Sequence, residues 1–251
     1  MKRLTVGSSA LVLAALVCAS AARAQQQPAN PPAAAPQDVR PTIAILDYDI
    51  GLVMGQDPAD YQALRRGLAS MTISELSNNR AVRIVERAQI SAIMQEQRLT
   101  RDSVVDQSTA LRLARILNAH YMVTGTIFDQ RGRFTIDARL FNVETSEILQ
   151  TVRVNGRLDD VFTLVTQLST RLMAAASLPP LERRADAPAP VRPATGAPTQ
   201  NAVMAYSRAV LYADRGDTQR AVEQYRRAIV AFPQYTQART ECNRLQAGAC
   251  S

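Results

Sequence analysis

Apolar and polar residues alternate with period two along Tyr121–Val154. Val123, Gly125 and Ile127, then Phe134, Ile136, Ala138 and Leu140, fall on one side of the alternation. Thr124, Thr126, Thr135, Asp137 and Arg139 fall on the other. This pattern predicts three consecutive strands, each with one buried face. The breaks between them are short. Asp129-Gln130-Arg131-Gly132 contains a glycine able to take positive φ, and Glu144-Thr145-Ser146-Glu147 can turn by local hydrogen bonds. Paired in order, the three strands predict the middle of a sheet.

Upstream, Thr42–Tyr48 is a short apolar run that reads as a buried strand. A polar loop with Gly51, Gly55 and Asp57-Pro58 follows. Asp60 is a candidate cap for a helix along which Tyr61, Leu64, Leu68, Met71 and Leu76 recur, with Asn78-Asn79 as its stop. Val82–Val85 predicts a second strand, and Ala88–Leu99 a helix with Ile90, Ile93 and Met94 on one face. Asp106 or Ser108 caps a further helix carrying Leu111, Ala114 and Leu117 inward. Downstream, Leu158, Val161, Phe162, Val165, Leu168 and Leu172 mark an amphipathic helix capped near Asp159 or Asp160. The order β-α-β-α-α-β-β-β-α predicts an α+β fold, a mixed sheet covered by helices.

The pattern changes character at the ends. Lys2 and Arg3, an apolar stretch Ala10–Ala21 too short to span a bilayer, and Ala22-Arg23-Ala24 predict a secretory signal over 1–24, cleaved after Ala24. Cys18 is the competing lipid-attachment site, but Val17 is not the small residue that such a cysteine follows. The short positive start looks bacterial, which puts the mature chain in the periplasm. No other run is long and apolar enough for a membrane-spanning helix, which leaves peripheral membrane association open. Residues 25–40, QQQPANPPAAAPQDVR, form a Pro/Gln/Ala-rich spacer, and 176–200 a second Pro/Ala-rich linker. These bound a first domain over 41–175 and a helical unit over 201–251.

Charge narrows the partners. Lys2, Arg3 and Arg23 carry three of the seven net positive charges and lie in the signal with no acid, so the mature chain is near +4 and Arg supplies all its cations. No dense basic run of nucleic-acid type is present.

In the last segment, Tyr212, Gly216, Ala221, Tyr225, Ala228 and Pro233 occupy consensus places of a tetratricopeptide repeat, which the segment resembles. Small Ala221 and Ala228 let two helices approach, Gly216-Asp217 turns between them, and Pro233 ends the second. The helix pair is Asn201–Arg215 and Thr218–Phe232, followed by Gln234–Gln246. Ala205 stands where an aromatic is common, and Arg208 where Leu is. One repeat buries its own faces poorly, so the unit must lean on the first domain, on a second copy or on a partner.

No residue constellation points to catalysis, a cofactor or a metal. The single histidine, His120, has no nucleophile motif beside it, and scattered carboxylates do not make a metal cluster. Glu86-Arg87 and Glu96 read as an ion pair and a helix-surface carboxylate. Asp47 and Asp49 sit at the C-terminal end of a strand, where α/β proteins place ligands, and are the one candidate ligand or enzyme site. Cys242 and Cys250 are the cysteines left after signal removal; in an oxidising compartment they are a candidate disulfide, worth roughly 2–3 kcal/mol in the chain-entropy picture.

Four stretches in order resemble the CsgG-like family of curli assembly and transport components. They are Ile43-Ala44-Ile45-Leu46-Asp47; Val85-Glu86-Arg87 with Ile93-Met94-Gln95-Glu96-Gln97-Arg98-Leu99; Ala119-His120-Tyr121-Met122-Val123-Thr124-Gly125-Thr126-Ile127; and Arg139-Leu140-Phe141-Asn142-Val143-Glu144-Thr145-Ser146-Glu147-Ile148, where Ser146 replaces the usual Gly. The resemblance spans Pro41 to Met173 and implies a fold also similar to the N-terminal domain of TolB and to outer-membrane activators of penicillin-binding proteins. A transmembrane strand needs about 9–11 residues, so the tight turn after Ile127 and the short passage from Val154 to Leu158 leave no room for pore hairpins. The implied role is a non-enzymatic, outer-membrane-side periplasmic protein. It serves assembly or transport of surface material through protein partners in the envelope, with self-association open. An activator of a penicillin-binding protein is one alternative; a ligand-binding protein or enzyme with a site near Asp47 is another.

Overall fold

The structure is a computed structural model, and it describes residues 40–54, 57–99, 105–179 and 200–250. The signal with Ala24, the spacer up to Val39 and the linker residues 180–199 lie outside the described residues. In chain order the elements are β1 (Thr42–Ile45), β2 (Asp49–Val53), α1 (Pro58–Ser77), β3 (Arg83–Ile84), α2 (Arg87–Glu96), α3 (Gln107–Ile116), β4 (Tyr121–Gln130), β5 (Arg133–Asn142), β6 (Ile148–Gly156), α4 (Val161–Ala175), α5 (Gln200–Asp214), α6 (Thr218–Ala231) and α7 (Thr236–Leu245).

The sheet runs β3-β1-β4-β5-β6, with β2 also paired to β4. β1 lies parallel to β3 and β4, β2 parallel to β4, and β4, β5 and β6 form an antiparallel meander. This is the α+β class, a mixed sheet packed by helices. Period two sorts its side chains between two layers. Ile43, Ile45, Val123, Ile136 and Val154 join a core with α1 and α4, while Ala44, Leu46, Met122 and Phe141 join a second core with α2 and α3. β1 is buried at every position because both of its faces are covered. The β4–β5 turn places Arg131 and Gly132 at φ of 54° and 84°, the left-handed pair that matches strand twist in a two-residue hairpin.

Two expectations change. The meander is not the middle of the sheet: β4 is central, and β6 is an edge whose residues Ile148–Thr151 are exposed. β1, buried on both faces, takes the place beside β4 that a symmetrical reading gives to the meander. The loop expected after Tyr48 contains β2, which follows β1 along the same side of β4 and pairs Asp49 with Thr126 and Ile50 with Ile127. Its side chains are mostly half-buried, so the hydrophobic pattern that marks a strand is weak there. Cap assignments also shift. Asp57, not Asp60, caps α1 by accepting the Ala59 N–H at 2.9 Å, with Pro58 in the first turn. Asp106 caps α3 through the Thr109 N–H at 2.7 Å. A single 3₁₀ turn, Leu158–Asp160, leads into α4 without a side-chain cap, and Asp159 instead accepts the N–H of Gln200 at the start of α5.

The helical unit is not a separate body. Val39–Ser251 is one compact unit, and a single hydrophobic core continues from Ile43 in β1 to Cys250. α5 packs along α1 at the closest backbone approach between them, Gly67 against Ser207. Ser70 Oγ and Tyr206 OH are hydrogen-bonded at 2.8 Å, and Gln237 donates to the Ser70 carbonyl at 3.1 Å. Phe162 of α4 meets Tyr235 edge-on with ring centroids 5.0 Å apart, and Tyr206 lies 4.9 Å from Tyr235 and 5.8 Å from Tyr225. α1, with the sheet on one side and α5 on the other, is buried around most of its circumference, Arg65 and Arg66 included.

Burial of these phenols makes the fold sensitive to alkali. Desolvation pushes Tyr48 up to about 12 against a weaker opposing hydrogen bond from Thr72, and pushes Tyr206, Tyr225 and Tyr235 upward as well. An unfolded tyrosine titrates near ~10, so this contribution is fully present below that pH and is lost as pH rises toward 12. In an alkaline titration, tyrosinate absorbance is expected to rise together with loss of the far-ultraviolet circular dichroism signal. Smooth ionisation of all tyrosines near pH ~10 with secondary structure intact contradicts this account.

Candidate functional site

Asp47 follows β1 directly, at the C-terminal end of a parallel strand. Its carboxylate does not face an open ligand site. Arg87, the first residue of α2, donates to Asp47 Oδ1 at 2.8 Å and, with its other terminal nitrogen, to Asp214 Oδ2 at 2.7 Å. Arg66 of α1 places Nε 3.7 Å from Asp47 Oδ2 and 3.9 Å from Asp214 Oδ2. Two guanidiniums thus stand between two carboxylates, one from the sheet and one from the end of α5. The side chains are enclosed: 14 % exposure for Asp47, 17 % for Arg87 and 15 % for Asp214, although Asp214 as a residue is exposed through its backbone. Burial works against charge on Arg87, but Asp47 and then Asp214 outweigh it and raise its pKa above that of a free arginine.

Asp49, two residues on, is raised by burial, with Arg65 lowering it and Asp47 adding to the rise. Arg65 lies 3.6 Å from the Asp49 carboxylate and donates to the Tyr48 carbonyl at 2.6 Å. The hollow between them, lined by Leu46, Asp47, Asp49, Arg65, Met94, Val105 and Thr124, measures about 20 Å³. That is room for about one water molecule, against roughly 300–1,000 Å³ for ligand pockets. Among the described residues, both carboxylates at this strand end are paired with arginines, Asp47 with Arg87 and Asp49 with Arg65.

The other residues singled out above fall elsewhere. His120 is exposed just before β4, and its Nδ1 accepts the Thr42 N–H of β1 at 3.0 Å. Arg87 pairs with Asp47 and Asp214 rather than with its neighbour Glu86. Cys242 and Cys250 are joined as a disulfide with Cα atoms 5.9 Å apart, and the Cys250 N–H donates to Asn243. Ala221, Tyr225 and Ala228 are buried in the α5–α6 hairpin, and Gly216 takes φ of 76° in its turn. Tyr212 is half-buried beneath the Arg220 guanidinium, 5.6 Å from its ring, and Pro233 is exposed just past α6. Among the described residues no group of three His, Cys, Asp or Glu side chains is arranged to hold a metal, and no helix is long and apolar enough to cross a membrane.

Sequence reasoning did not single out Asp214, Arg66 or Gln224. The adjacent Arg65-Arg66, set between Leu64 and Leu68 on the helix, is the one sequence sign of a buried charge partner. Another cleft, of about 380 Å³, lies between α5, α6 and the start of α1. One wall is the pair Arg208–Asp60, in which both Nε and a terminal nitrogen of Arg208 donate to the carboxylate. Arg208 stands where a repeat carries Leu because here that position faces Asp60 of the first domain.

Residues 32–132 match the family described as curli production assembly/transport component CsgG, so the sheet domain is CsgG-like. The match ends at the β4–β5 turn, short of the Arg139–Ile148 stretch. Comparison with curated proteins finds no match. Among solved structures, the LpoB C-terminal domain from Escherichia coli is 22 % identical, with 46 % of this chain and 82 % of that chain covered at a TM-score of 0.37. TolB from Acinetobacter baumannii is 13 % identical, covering 55 % and 28 % at 0.36. A PelC dodecamer from Paraburkholderia phytofirmans is 15 % identical, covering 58 % and 90 % at 0.32.

Proposed function

We propose that the protein is a non-catalytic periplasmic component of envelope assembly or transport, working through protein–protein contacts. The family match over residues 32–132 carries this reading. Two features support it. The carboxylates of the Asp47 region are engaged by arginines in a junction between the sheet domain and α5, and the hollow beside them among the described residues measures about 20 Å³. The β4–β5 connection is a two-residue turn and β6 passes through one 3₁₀ turn into α4, so neither connection carries a pore-forming hairpin. On this reading α5–α7 are a tetratricopeptide-like unit that docks a protein, held rigidly on the sheet domain.

Two measurements test the proposal. Purified mature protein is expected to pass no current in planar bilayers; a steady conductance would sink the pore-free part. Cross-linking in intact cells, followed by purification and mass spectrometry, is expected to recover a defined assembly or transport protein of the envelope. Recovery of a penicillin-binding protein instead favours an activator role, and tight capture of a small molecule abolished by Asp47→Ala favours a ligand site.

A further inference from the structure

The methionines divide sharply by exposure. Met71, Met94, Met122, Met173 and Met204 are between 0 and 6 % exposed and belong to the two hydrophobic cores. Met54, just past the end of β2, is 45 % exposed. Its backbone is tied down: the Met54 N–H donates to the Asp129 carbonyl at 2.9 Å, one step beyond the pair Val53–Asp129. Val53 packs on the core, whereas Leu52 and Met54, two residues apart, both stand in water. A thioether is polarisable and takes up oxygen. The usual competitors for an oxidant are missing. The chain has no tryptophan, Cys242 and Cys250 are already joined, and Cys18 lies in the expected signal.

We propose that Met54 is the oxidation site of this protein, a reversible modification by hydroperoxides that alters the surface of β2 and spares the fold. A lone pair of Met54 Sδ attacks one oxygen of the peroxide. The S–O bond forms as the O–O bond breaks, sulfur loses two electrons, and hydrogen peroxide leaves as water. The product sulfoxide is polar and chiral, so the apolar pair Leu52–Met54 is reduced to Leu52 alone. The new oxygen lies outside both cores. The same change at Met94 or Met122 would bury a polar group among apolar neighbours and cost stability. Exposure also leaves the sulfoxide within reach of sulfoxide reductases, which return it to methionine. The inference uses nothing from the proposed function, and neither depends on the other.

The test treats the whole mature chain with hydrogen peroxide and follows each methionine by peptide mass mapping. Met54 is expected to gain one oxygen about tenfold or more faster than any other methionine, with the circular dichroism spectrum unchanged at one oxygen per chain. Unfolding in urea is expected to bring the other five to a similar rate. Met54→Leu, close in volume, is expected to remove the fast phase without lowering the urea midpoint. A mixture of the two epimer-specific sulfoxide reductases is expected to restore Met54. Oxidation of a core methionine as fast as Met54 in the folded protein overturns the proposal, as does a fast phase that persists in Met54→Leu. Loss of the dichroism signal at one oxygen per chain, or a sulfoxide that both reductases leave in place, overturns the claim of a reversible change that spares the fold.

Discussion

Replacing Arg87 with methionine is expected to lower stability by roughly 2–3 kcal/mol, read from urea unfolding of the mature protein. The methionine fills much of the volume but leaves Asp47 and Asp214 facing each other with only Arg66 between them, at 3.7 and 3.9 Å. Removing one partner of a fully buried pair costs about 3–5 kcal/mol, because a desolvated charge is stranded. The figure here is lower, since Arg66 remains and the carboxylates keep some contact with water. The damage should be directional. Asp214 closes α5, so hydrogen exchange should quicken in α5–α7 before it does in β4 and β5. Adding Asp47→Asn and Asp214→Asn to Arg87→Met should recover most of the loss, because the stranded charges are then gone. A triple variant no more stable than the single one would show that the guanidinium matters for shape rather than charge.

The second large effect has a sign that helix propensity alone gets wrong. Gly67 lies in the interior of α1, where exchange for Ala normally stabilises a helix by about 1 kcal/mol. Here a Cβ would meet Ser207 Oγ at 2.1 Å, its Cβ at 2.7 Å and its Cα at 2.9 Å. The serine hydroxyl can rotate away, but the backbone of α5 cannot. Gly67→Ala is therefore expected to destabilise by about 1–3 kcal/mol, as overpacked cores do. Ser207→Gly should relieve part of the loss in the double variant and leave the contact with Cα, giving a measurable coupling between the two sites. Stabilisation by Gly67→Ala would mean that α1 and α5 are not packed closely in solution.

These two positions show where sequence reading stopped. The strands of the meander, the helices and the spacing of Tyr212, Gly216, Ala221, Tyr225 and Ala228 were legible because each is a local pattern of apolar and small residues. β2 was not legible: its strand character comes from backbone pairing to β4, and Leu52 points to solvent at 55 % exposure. Asp47 was legible as a notable residue but not in its surroundings, because its partner Arg87 lies 40 positions away and is shared with Asp214. Gln224 reads as an ordinary surface residue of an amphipathic helix. It is buried only once α6 packs on α5.

By itself the sequence determined most of the segments that become strands and helices, β2 excepted, and the α+β class they build, since period two and helical spacing are written along the chain. The tertiary structure decided which strand is central, that the helical unit shares one core with the sheet, and that Asp47 belongs to a junction rather than an open site. The physical reason is range. Propensity and amphipathic pattern act over a few residues, whereas charge compensation, close helix packing and an unsatisfied buried amide depend on groups that only folding brings within a few ångströms.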